Sequence, residues 1–396
     1  MKILFLTSRL PYPPHRGDKL KIYNLIKNLS RSHEITLLSF IASTEEKKYL
    51  AALGEYCREI HTVYQPTVLS LWRCLLAVFS FDPFQIAYFK SRSMRGAVRL
   101  LLGRERFDIV HTHLIRMAQY TVDERGPSRV LDLTDAGSLY LERFYLTTRR
   151  PLQKLLVGWE LKRLRRYEEI ISGFDTALVC SSVDRDKLHA ASPGANIGLL
   201  YNGVDLEYFS PDDSRRFDPK RIIYTGNLAY FPNVDGIRYF VRDILPLIRR
   251  DIPDVKLYIV GKDPPKKVRN LASDDIVVTG FVPDIRAEYL GSAVAVAPIR
   301  FGAGTLNKVL EPMALGVPVV STPIGAEGLP FVPGKHLMIG KSPEEFAAAV
   351  VTVLNDPALR QRLSLNGRDV VGSKYGWDVI AGALGIIYKN LLLARS

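Results

Sequence analysis

The amino-acid sequence predicts an α/β protein with two doubly wound, Rossmann-like domains that face each other across a cleft. The chain of 396 residues exceeds the ~100–200 residues of a typical domain. Short, continuous apolar runs alternate with amphipathic stretches, and this alternation starts again after about residue 205. Apolar runs separated by helices are typical of parallel strands that are covered on both faces.

The first series of elements predicts an N-terminal domain over residues 1–205. Its helical segments are Lys19–Leu29 and Glu45–Tyr56. Its predicted strands are Lys2–Ser8, Glu34–Phe40, Glu59–Tyr64, Asp108–Thr112, Val130–Thr134 and Thr176–Cys180.

The second series predicts a C-terminal domain over residues 206–375, entered through the polar linker Ser210–Arg216. Its predicted helices are Val234–Arg249, Thr305–Ala314 and Pro343–Leu354. Its predicted strands are Arg221–Thr225, Lys256–Val260, Ile276–Thr279, Ala293–Ala297 and Val317–Ser321. Residues 376–396 predict a last helix whose apolar stripe packs back on the N-terminal domain.

Composition and charge narrow the class of protein. Hydrophobic residues make up 47% and charged residues 24%, which excludes a disordered, collagenous or coiled-coil chain. The net charge of +13 favours anionic partners such as phosphorylated substrates or an acidic membrane surface. Three distant cysteines and the absence of a secretory signal core predict a cytoplasmic protein without disulfides.

Two segments raise the question of a membrane surface. Val68–Phe79 is apolar but too short to span a bilayer, so it is either a buried helix or a helix on the membrane surface. Arg149–Arg166 interleaves cations with leucines, which fits an amphipathic helix on anionic lipid or a solvated helix with a core-facing stripe. No recognition motif supports binding to nucleic acid.

Candidate ligand-binding residues directly follow predicted strands, where doubly wound sheets bind their ligands. Gly17 lies in a proline-rich loop before a helix, where a backbone can approach a phosphate or simply turn. No dinucleotide fingerprint follows the first strand. His111 and His113 point to the same side of another strand, and a third ligand for zinc is missing. The pair therefore indicates a histidine in the cleft that contacts a polar substrate. The alternative is that His111 is a core residue and only His113 reaches the mouth of the cleft.

A glycine-rich segment after the strand ending near Pro298 carries the strongest signal for an anion site. The loop opens a helix, so its backbone N–H groups and the helix dipole form an anion cradle. Arg300 and Lys308 add positive charge, and Glu311 is placed to accept hydrogen bonds from vicinal hydroxyls. Asp135, just past another strand, either contacts a substrate or caps the next helix.

In this order and spacing, these motifs resemble the retaining glycosyltransferases of family 4, which have the two-domain GT-B fold. The resemblance covers nearly the whole chain. It rests on the opening strand and glycine loop and on Asp108–His113, Asn202–Asp205, Tyr224–Gly226, Gly261, Gly280–Asp284, Lys308–Ala314 and Gly316–Val320. The segment Phe231–Asp235 is similar to members that build exopolysaccharides, including those encoded beside exosortase-type systems.

The resemblance implies roles for individual residues. Gly17 would lie against the donor diphosphate, and His113 would contact the donor sugar near the reacting carbon. Glu311 would bind the ribose hydroxyls, and the backbone at Val282 would hold the base.

The chain departs from the family pattern at three positions. Ala303 replaces the first of the family's two glutamates, so either backbone N–H groups near Gly304, Thr305, Leu306 and Asn307 replace it or the donor sugar differs. Asn227 and Asn233 replace an arginine and a lysine. We expect Arg300 and Lys308 to supply the missing charge.

The resemblance therefore predicts a transferase that moves a sugar from a nucleotide-diphosphate donor to a glycan or lipid-linked acceptor. It implies no cofactor and no metal ion, because helix N-termini and cations stabilise the leaving diphosphate. Two alternatives remain open. One is a GT-B sugar-nucleotide epimerase, and the other is an inactive nucleotide-sugar-binding partner subunit.

Overall fold

The computed structural model describes residues 1–14, 16–212 and 216–395. His15 of the proline-rich loop, Asp213–Arg215 of the predicted linker and Ser396 lie outside the described residues. The chain divides into two compact units. The first comprises Met1–Tyr201 and Ile380–Ser396, and the second comprises Asn202–Val379. The boundaries predicted from the sequence lie after residues 205 and 375.

The first unit is built on a seven-stranded sheet in which every strand pair is parallel. The strand order is β3-β2-β1-β4-β5-β6-β7. The strands are β1 (Lys2–Thr7), β2 (Glu34–Ile41), β3 (Glu59–Tyr64), β4 (Ile109–His113), β5 (Ser128–Thr134), β6 (Thr176–Val179) and β7 (Ile197–Leu199).

Helices connect these strands and cover the sheet. They are α1 (Gly17–Leu29), α2 (Leu50–Gly54), α3 (Thr67–Leu76), α4 (Phe84–Tyr88), α5 (Arg92–Arg104), α6 (Gly137–Thr147), α7 (Pro151–Glu168) and α8 (Ser182–Ala191). Short 3₁₀ turns occur at Thr44–Tyr49, Ala77–Phe79, Ile115–Tyr120 and Glu169–Gly173.

The second unit holds a six-stranded parallel sheet in the order β10-β9-β8-β11-β12-β13. Its strands are β8 (Asp218–Thr225), β9 (Lys256–Val260), β10 (Ile276–Gly280), β11 (Ser292–Ala297), β12 (Val319–Ser321) and β13 (Met338–Ile339). Its helices are α9 (Phe231–Tyr239), α10 (Leu245–Asp251), α11 (Lys266–Arg269), α12 (Ile285–Leu290), α13 (Asn307–Ala314), α14 (Pro343–Asn355) and α15 (Pro357–Lys374). The terminal helix α16 (Trp377–Leu393) belongs mostly to the first unit.

The predicted fold class, two parallel-sheet α/β domains, is confirmed. In each sheet the strand order reverses once, at β1/β4 in the first unit and at β8/β11 in the second. Ligands of doubly wound sheets bind outside the carboxyl ends of the strands at such a reversal. Most candidate residues lie at or after the ends of these four strands, whereas Asp135 follows β5 and Val282 follows β10.

Two predicted helices are wrong in form. The segment predicted as one helix over Glu45–Tyr56 is a 3₁₀ turn followed by the short α2. The helix predicted over Val234–Arg249 is α9 and α10, separated by a π-helical turn at Phe240–Ile244. Pro246 lies in the first turn of α10, where its missing N–H removes one hydrogen bond of the preceding turn.

The helix α16 packs into the core of the first unit. Tyr388 is fully buried, and its hydroxyl lies 2.7 Å from Nδ1 of His111 in β4. Ile380 and Leu384 are also buried, whereas Ile386 and Leu393 are exposed. Among the described residues, no helix combines the length and apolarity that crossing a bilayer requires.

Candidate functional site

In the second unit, close backbone approach at the end of β8 shapes the candidate site. Gly226 follows β8 with φ 152°, a conformation that side chains rarely adopt. A Cβ on Gly226 would lie 2.8 Å from the side-chain Nδ2 of Asn233 and 3.1 Å from Nζ of Lys308. A Cβ on Gly261 would lie 1.8 Å from the carbonyl oxygen of Gly226. The absence of both side chains therefore brings the β8 turn close to Lys308.

Lys308 lies in the first helical turn of α13, and its buried ammonium lies beside the turn that follows β8. Its Nζ donates to Oδ1 of Asn233 at 2.7 Å and to the hydroxyl of Tyr224 at 3.1 Å. The Nζ also lies 4.5 Å from the centroid of the Tyr224 ring. Burial lowers the pKa of Lys308 to about 7, although the Glu311 carboxylate favours the charged form.

Glu311 lies on the next turn of α13 and is half-buried. The hydroxyl of Tyr289 donates to Oε2 of Glu311 at 3.2 Å, and this hydroxyl shares a 2.6 Å hydrogen bond with Thr225. Burial raises the pKa of Glu311 to about 7, against the opposing effects of Tyr289 and Lys308. One hydrogen bond leaves carboxylate acceptor capacity for the hydroxyl groups of a ligand.

The glycine-rich loop ends at the N-terminus of α13. Gly304 has φ 73°, and Asn202 Nδ2 donates to the carbonyl of Thr305 at 3.2 Å. The predicted helix start at Thr305 is wrong by two residues, because α13 begins at Asn307. Its N-cap residue Leu306 contributes no side-chain acceptor, although the Leu306 carbonyl accepts from the Val309 N–H at 3.0 Å. The start of α13 therefore lacks a side-chain cap, and such a helix N-terminus suits an anion.

The structure pairs Arg300 with a neighbouring carboxylate. Its Nε and Nη2 donate to Asp235 at 2.8 and 2.6 Å, and its guanidinium lies over the Tyr239 ring. These three residues line a surface pocket together with Arg238 and Arg242. The charge of Arg300 is therefore compensated by Asp235, in contrast to the buried charge of Lys308.

Two further candidates of this unit lie in turns. Asn227 Oδ1 accepts from the backbone N–H of Ala229 at 3.0 Å, and the Asn227 carbonyl accepts from Asn233 Nδ2 at 2.9 Å. Val282 is half-buried, two residues beyond Gly280, which has φ 73° at the end of β10. Asn227 therefore shapes the β8 turn, and Val282 follows the carboxyl end of a neighbouring strand.

In the first unit, the two histidines of β4 have different surroundings. His111 is fully buried and lies against Tyr388, as expected for a core residue. His113 lines a small pocket at the end of β1, and its Nε2 lies 3.4 Å from Oγ1 of Thr134. Burial lowers the pKa of His113 to about 3, so the ring is neutral at physiological pH.

A buried ion pair lies behind His113. Nζ of Lys21 donates to Oδ1 of Asp132 at 2.9 Å, and both side chains are almost fully buried. The backbone N–H of Thr134 donates to the same carboxylate oxygen at 3.0 Å. Burial alone would raise the pKa of Asp132, but Lys21 and His111 outweigh it and hold this pKa below its usual range.

The predicted glycine loop carries an acidic residue within a cluster of arginines. Asp18 Oδ2 accepts from Arg9 at 3.1 Å, and Arg16 and Arg116 lie within 3.5 and 3.8 Å of its carboxylate. Burial would raise the pKa of Asp18, but the arginines outweigh it and the pKa is lowered. Gly17 precedes Asp18, and a Cβ there would meet nothing within 4 Å. The cluster carries more positive than negative charge.

Asp135 does not cap α6, so that alternative is wrong. The N-cap residue is Ala136, and the N–H groups of Ala136 and Ser138 donate to Asp184 and Glu168, each at 2.9 Å. Burial and the neighbouring Asp184 raise the pKa of Asp135 to about 7. A carboxyl group with such a pKa is suited to hold or release a proton near neutral pH.

Several residues around these sites were not predicted from the sequence. A carboxylate inside the apolar strand Val130–Leu133 requires a buried partner, and Lys21 interrupts the apolar face of α1. These two signals could have identified the Lys21–Asp132 pair. Arg116 and Tyr289 carried no comparable signal, because only the packed structure brings them to Asp18 and Glu311. The described residues include no group of three or more His, Cys, Asp or Glu side chains suited to a metal ion.

The sequence and the fold of this chain are similar to those of known proteins. Residues 219–356 match the family described as glycosyl transferases group 1. An uncharacterized glycosyltransferase of Methanocaldococcus jannaschii is 25% identical over 98% of this chain and 98% of its own. Among solved structures, sucrose-phosphate synthase from Thermosynechococcus elongatus superposes with a TM-score of 0.71 at 18% identity, covering 100% of both chains. HepE from Anabaena, in complex with UDP, gives 0.68 at 14% identity, covering 98% of this chain and 100% of its own.

These matches establish the fold and the general activity. The two parallel-sheet units have the GT-B architecture. Within the second unit, residues 219–356 match a group 1 glycosyltransferase domain, and the chain is a glycosyltransferase.

Proposed function

We propose that this enzyme is a retaining family 4 glycosyltransferase. It moves a sugar from a nucleotide-diphosphate donor to a glycan or lipid-linked acceptor during synthesis of cell-surface polysaccharide. The observation that carries the proposal is the arrangement on α13, where the Lys308 ammonium and the Glu311 carboxylate follow an uncapped helix N-terminus. One element thereby presents a cation, helix N–H groups and a hydroxyl acceptor, which a nucleoside diphosphate requires.

Lys308 takes over the charge that the substituted positions lack. Asn233 stands where the resembling family carries lysine, and its Oδ1 lies 2.7 Å from the Lys308 ammonium. The positive charge is therefore retained near position 233, although it is supplied by α13. Arg300 contributes less than expected from the sequence, because Asp235 neutralises it.

The donor lies with its diphosphate at Gly226, Lys308 and the N-terminus of α13. Asn227 and the backbone of Gly304, Thr305, Leu306 and Asn307 complete the cradle, and Glu311 accepts hydrogen bonds from the ribose. The base lies against the backbone at Val282. HepE, which shares the fold, was solved with UDP, so uridine nucleotides are the first donors to test.

The first unit supplies residues for the sugar and acceptor. Neutral His113 contacts the transferred sugar, Asp135 contacts the acceptor or the sugar, and Gly17 lies against the diphosphate. The bond between the anomeric carbon and the diphosphate oxygen breaks and leaves an oxocarbenium-like sugar. The acceptor hydroxyl oxygen then bonds to the anomeric carbon on the same face, and its proton passes to the leaving phosphate. The reaction proceeds without a metal ion, because fixed cations and N–H groups stabilise the leaving group. The enzyme works in the cytoplasm.

Nucleotide binding followed by turnover tests this proposal. The purified chain is heated with UDP, GDP, ADP and their sugar derivatives, with and without EDTA. A ligand that binds only the folded state at a hundredfold excess over Kd stabilises it by about 2.7 kcal/mol. The best donor is then incubated with glycan and lipid-linked acceptors, and product configuration is read by NMR.

The expected result is stabilisation by one nucleotide class and a product with retained configuration, both insensitive to EDTA. The variant Lys308→Ala loses this stabilisation, whereas Lys335→Ala, which changes an exposed lysine of the same unit, keeps it. Inversion at C2 of the free donor would instead identify an epimerase. Binding without turnover on any acceptor would identify an inactive partner subunit.

A further inference from the structure

The helix α3 has its apolar residues on the outside. Val68, Leu71, Trp72 and Leu75 recur at helical spacing, and all four are exposed, with Trp72 at 59%. The residue of α3 that is buried is the polar Ser70, whose hydroxyl accepts from Gln65 Nε2 at 2.8 Å. A helix of a water-soluble surface shows the opposite arrangement, because exposure of an apolar stripe is costly.

The exposed apolar residues continue beyond α3. Phe79 and Phe81, in the turn that follows, are 91% and 78% exposed. Three leucines at the start of α7, Leu152, Leu155 and Leu156, are also exposed. Later in α7 the pattern reverses, since Leu161 and Leu164 are buried. We call residues 68–81 and 152–156 the exposed apolar face.

The two parts of this face belong to one packed structure. Nη2 of Arg163 in α7 donates to the carbonyl of Ala77 at 2.6 Å and to the carbonyl of Asp82. The guanidinium of Arg166 lies 5.0 Å from the centroid of the Phe81 ring. Phe84 packs edge-on against Trp159 at 5.5 Å. The turn after α3 is therefore fixed against the middle of α7.

The exposed leucines of α7 are flanked in the sequence by cations and not by acidic residues. Arg149, Arg150 and Lys154 precede or lie within the first turns of α7, and residues 143–159 contain no Asp or Glu. Residues 65–81 also contain no acidic residue. Asp82, at the edge of the face, is paired with Lys90 at 2.9 Å. The surface thus combines exposed aromatic and aliphatic groups with uncompensated positive charge.

We propose that the exposed apolar face inserts into the headgroup region of an anionic lipid bilayer, with Arg149, Arg150 and Lys154 on the lipid phosphates. Aromatic and leucine side chains on one surface with cations at its rim are the features of interfacial membrane binding. A protein partner of the same chemistry would need a large acidic and apolar surface, and a second copy of this face would place like charges opposite each other. An anionic bilayer offers an apolar region for the exposed side chains and phosphates for the cations.

This inference does not depend on the proposed donor site. All of its residues lie in the first unit, and binding to lipid can be measured without a sugar nucleotide. It places the proposed reaction at a membrane surface, because an enzyme bound there can reach lipid-linked acceptors.

Vesicle cosedimentation tests the proposal with the full chain. Vesicles of phosphatidylcholine alone are compared with vesicles that contain phosphatidylglycerol, at low and high salt. We expect binding to the anionic vesicles that weakens with salt, because each cation near the surface contributes about a fivefold factor in affinity. The double variant Phe79→Ser/Phe81→Ser should bind at least tenfold less tightly. The triple variant R149Q/R150Q/K154Q should lose both affinity and salt dependence.

Matched controls change similar residues elsewhere. Leu365→Ser and Arg362→Gln alter exposed positions of α15 in the second unit and should leave vesicle binding unchanged. Trp72 fluorescence gives a second readout, with a blue shift on anionic vesicles that Trp72→Phe removes. Circular dichroism and thermal melting establish that each variant is folded.

Three results would overturn the proposal. The first is equal sedimentation with and without anionic lipid. The second is vesicle binding that neither the phenylalanine nor the cation variants reduce. The third is a stable dimer in sedimentation velocity that Phe79→Ser/Phe81→Ser dissociates, which would assign the face to self-association.

Discussion

The ammonium of Lys308 lies 2.7 Å from the side-chain oxygen of Asn233. Lys308 is on α13 and Asn233 is on α9, so the contact joins the elements that follow β11 and β8. The same ammonium donates a second hydrogen bond to the hydroxyl of Tyr224 and lies over its aromatic ring. A buried cation with two neutral partners is incompletely neutralised, so a negatively charged ligand would be stabilised beside it.

Donor binding should be coupled to protonation of Lys308. Burial lowers the pKa of Lys308 to about 7, and a bound diphosphate favours the charged form and raises this pKa. Nucleoside diphosphate binding at pH 7.5 should therefore take up protons, and affinity should fall as pH rises above 7. Calorimetry in buffers of different ionisation enthalpy measures the uptake. Lys308→Arg, which stays charged, should abolish it; unchanged uptake in that variant would contradict the assignment.

Glu311→Gln should weaken donor binding and change the pH dependence of stability. Burial raises the pKa of Glu311 to about 7, so the folded state binds this proton more tightly than the unfolded state. The free energy of unfolding therefore falls as pH rises from about 4.5 to 7. Glu311→Gln has no carboxylate to ionise, so its free energy of unfolding does not fall in this pH range for that reason. The variant should therefore be more stable than the parent at pH 8 but not at pH 4.5.

Urea unfolding at both pH values measures this effect, and initial rates should show a rise in donor KM of about tenfold. Asp369→Asn, which changes an exposed carboxylate on α15, should alter neither quantity. If Glu311→Gln changed the free energy of unfolding by the same amount at pH 4.5 and at pH 8, burial would not destabilise the Glu311 carboxylate.

His113 should act as a neutral group. Burial lowers the pKa of His113 to about 3, so its protonation cannot produce an acid limb between pH 5 and 7. His113→Ala should lower kcat at least tenfold, because a contact near the reacting carbon is lost. Rates at saturating donor from pH 5 to 9 test this. An acid limb near pH 6.5 that His113→Gln removes would refute it.

Lys21→Met should strongly destabilise the first unit, because it leaves the fully buried Asp132 carboxylate without its cation. Removal of one partner of a buried ion pair costs about 3–5 kcal/mol. The double variant Lys21→Met/Asp132→Leu should recover part of this loss. Urea unfolding of the parent, of Lys21→Met, of Asp132→Leu and of the double variant measures the coupling. Lys27→Met on the same helix should stay within about 0.5 kcal/mol of the parent.

The pH dependence of this pair has a defined sign. The folded-state pKa of Asp132 is lowered, so its ionised form stabilises the protein above the ordinary value of 3.8. This contribution disappears as pH falls below that value. Additive losses in the double-variant cycle would show that Lys21 and Asp132 are energetically independent.

Gly261→Ala should destabilise the second unit, because its Cβ would lie 1.8 Å from the carbonyl oxygen of Gly226. The backbone must shift, at a cost of about 1–3 kcal/mol. Gly372→Ala on α15 meets no atom within 4 Å and should be neutral or stabilising. Thermal melting compares the two variants. Equal melting temperatures would mean that the β8 turn relaxes at no cost.

The sequence by itself determined the layout of the chain. Short apolar runs such as Lys256–Val260, repeated between helices, indicate parallel strands covered on both faces, and this strand has the predicted bounds. The positions of the candidate residues in the fold were also predictable, because glycines and polar residues interrupt the apolar pattern where a predicted strand ends. These signals are local, and so they can be read from neighbouring residues.

Only the tertiary structure decided which charges meet. Arg300 and Lys308 are equivalent cations in the sequence, but packing pairs Arg300 with Asp235 and buries Lys308 against Asn233 and Tyr224. The orientation of α3 was equally undetermined, since an apolar stripe at helical spacing does not state whether it faces inward or outward. Charge compensation and burial depend on residues distant in the chain, and these are brought together only when the sheets and helices pack.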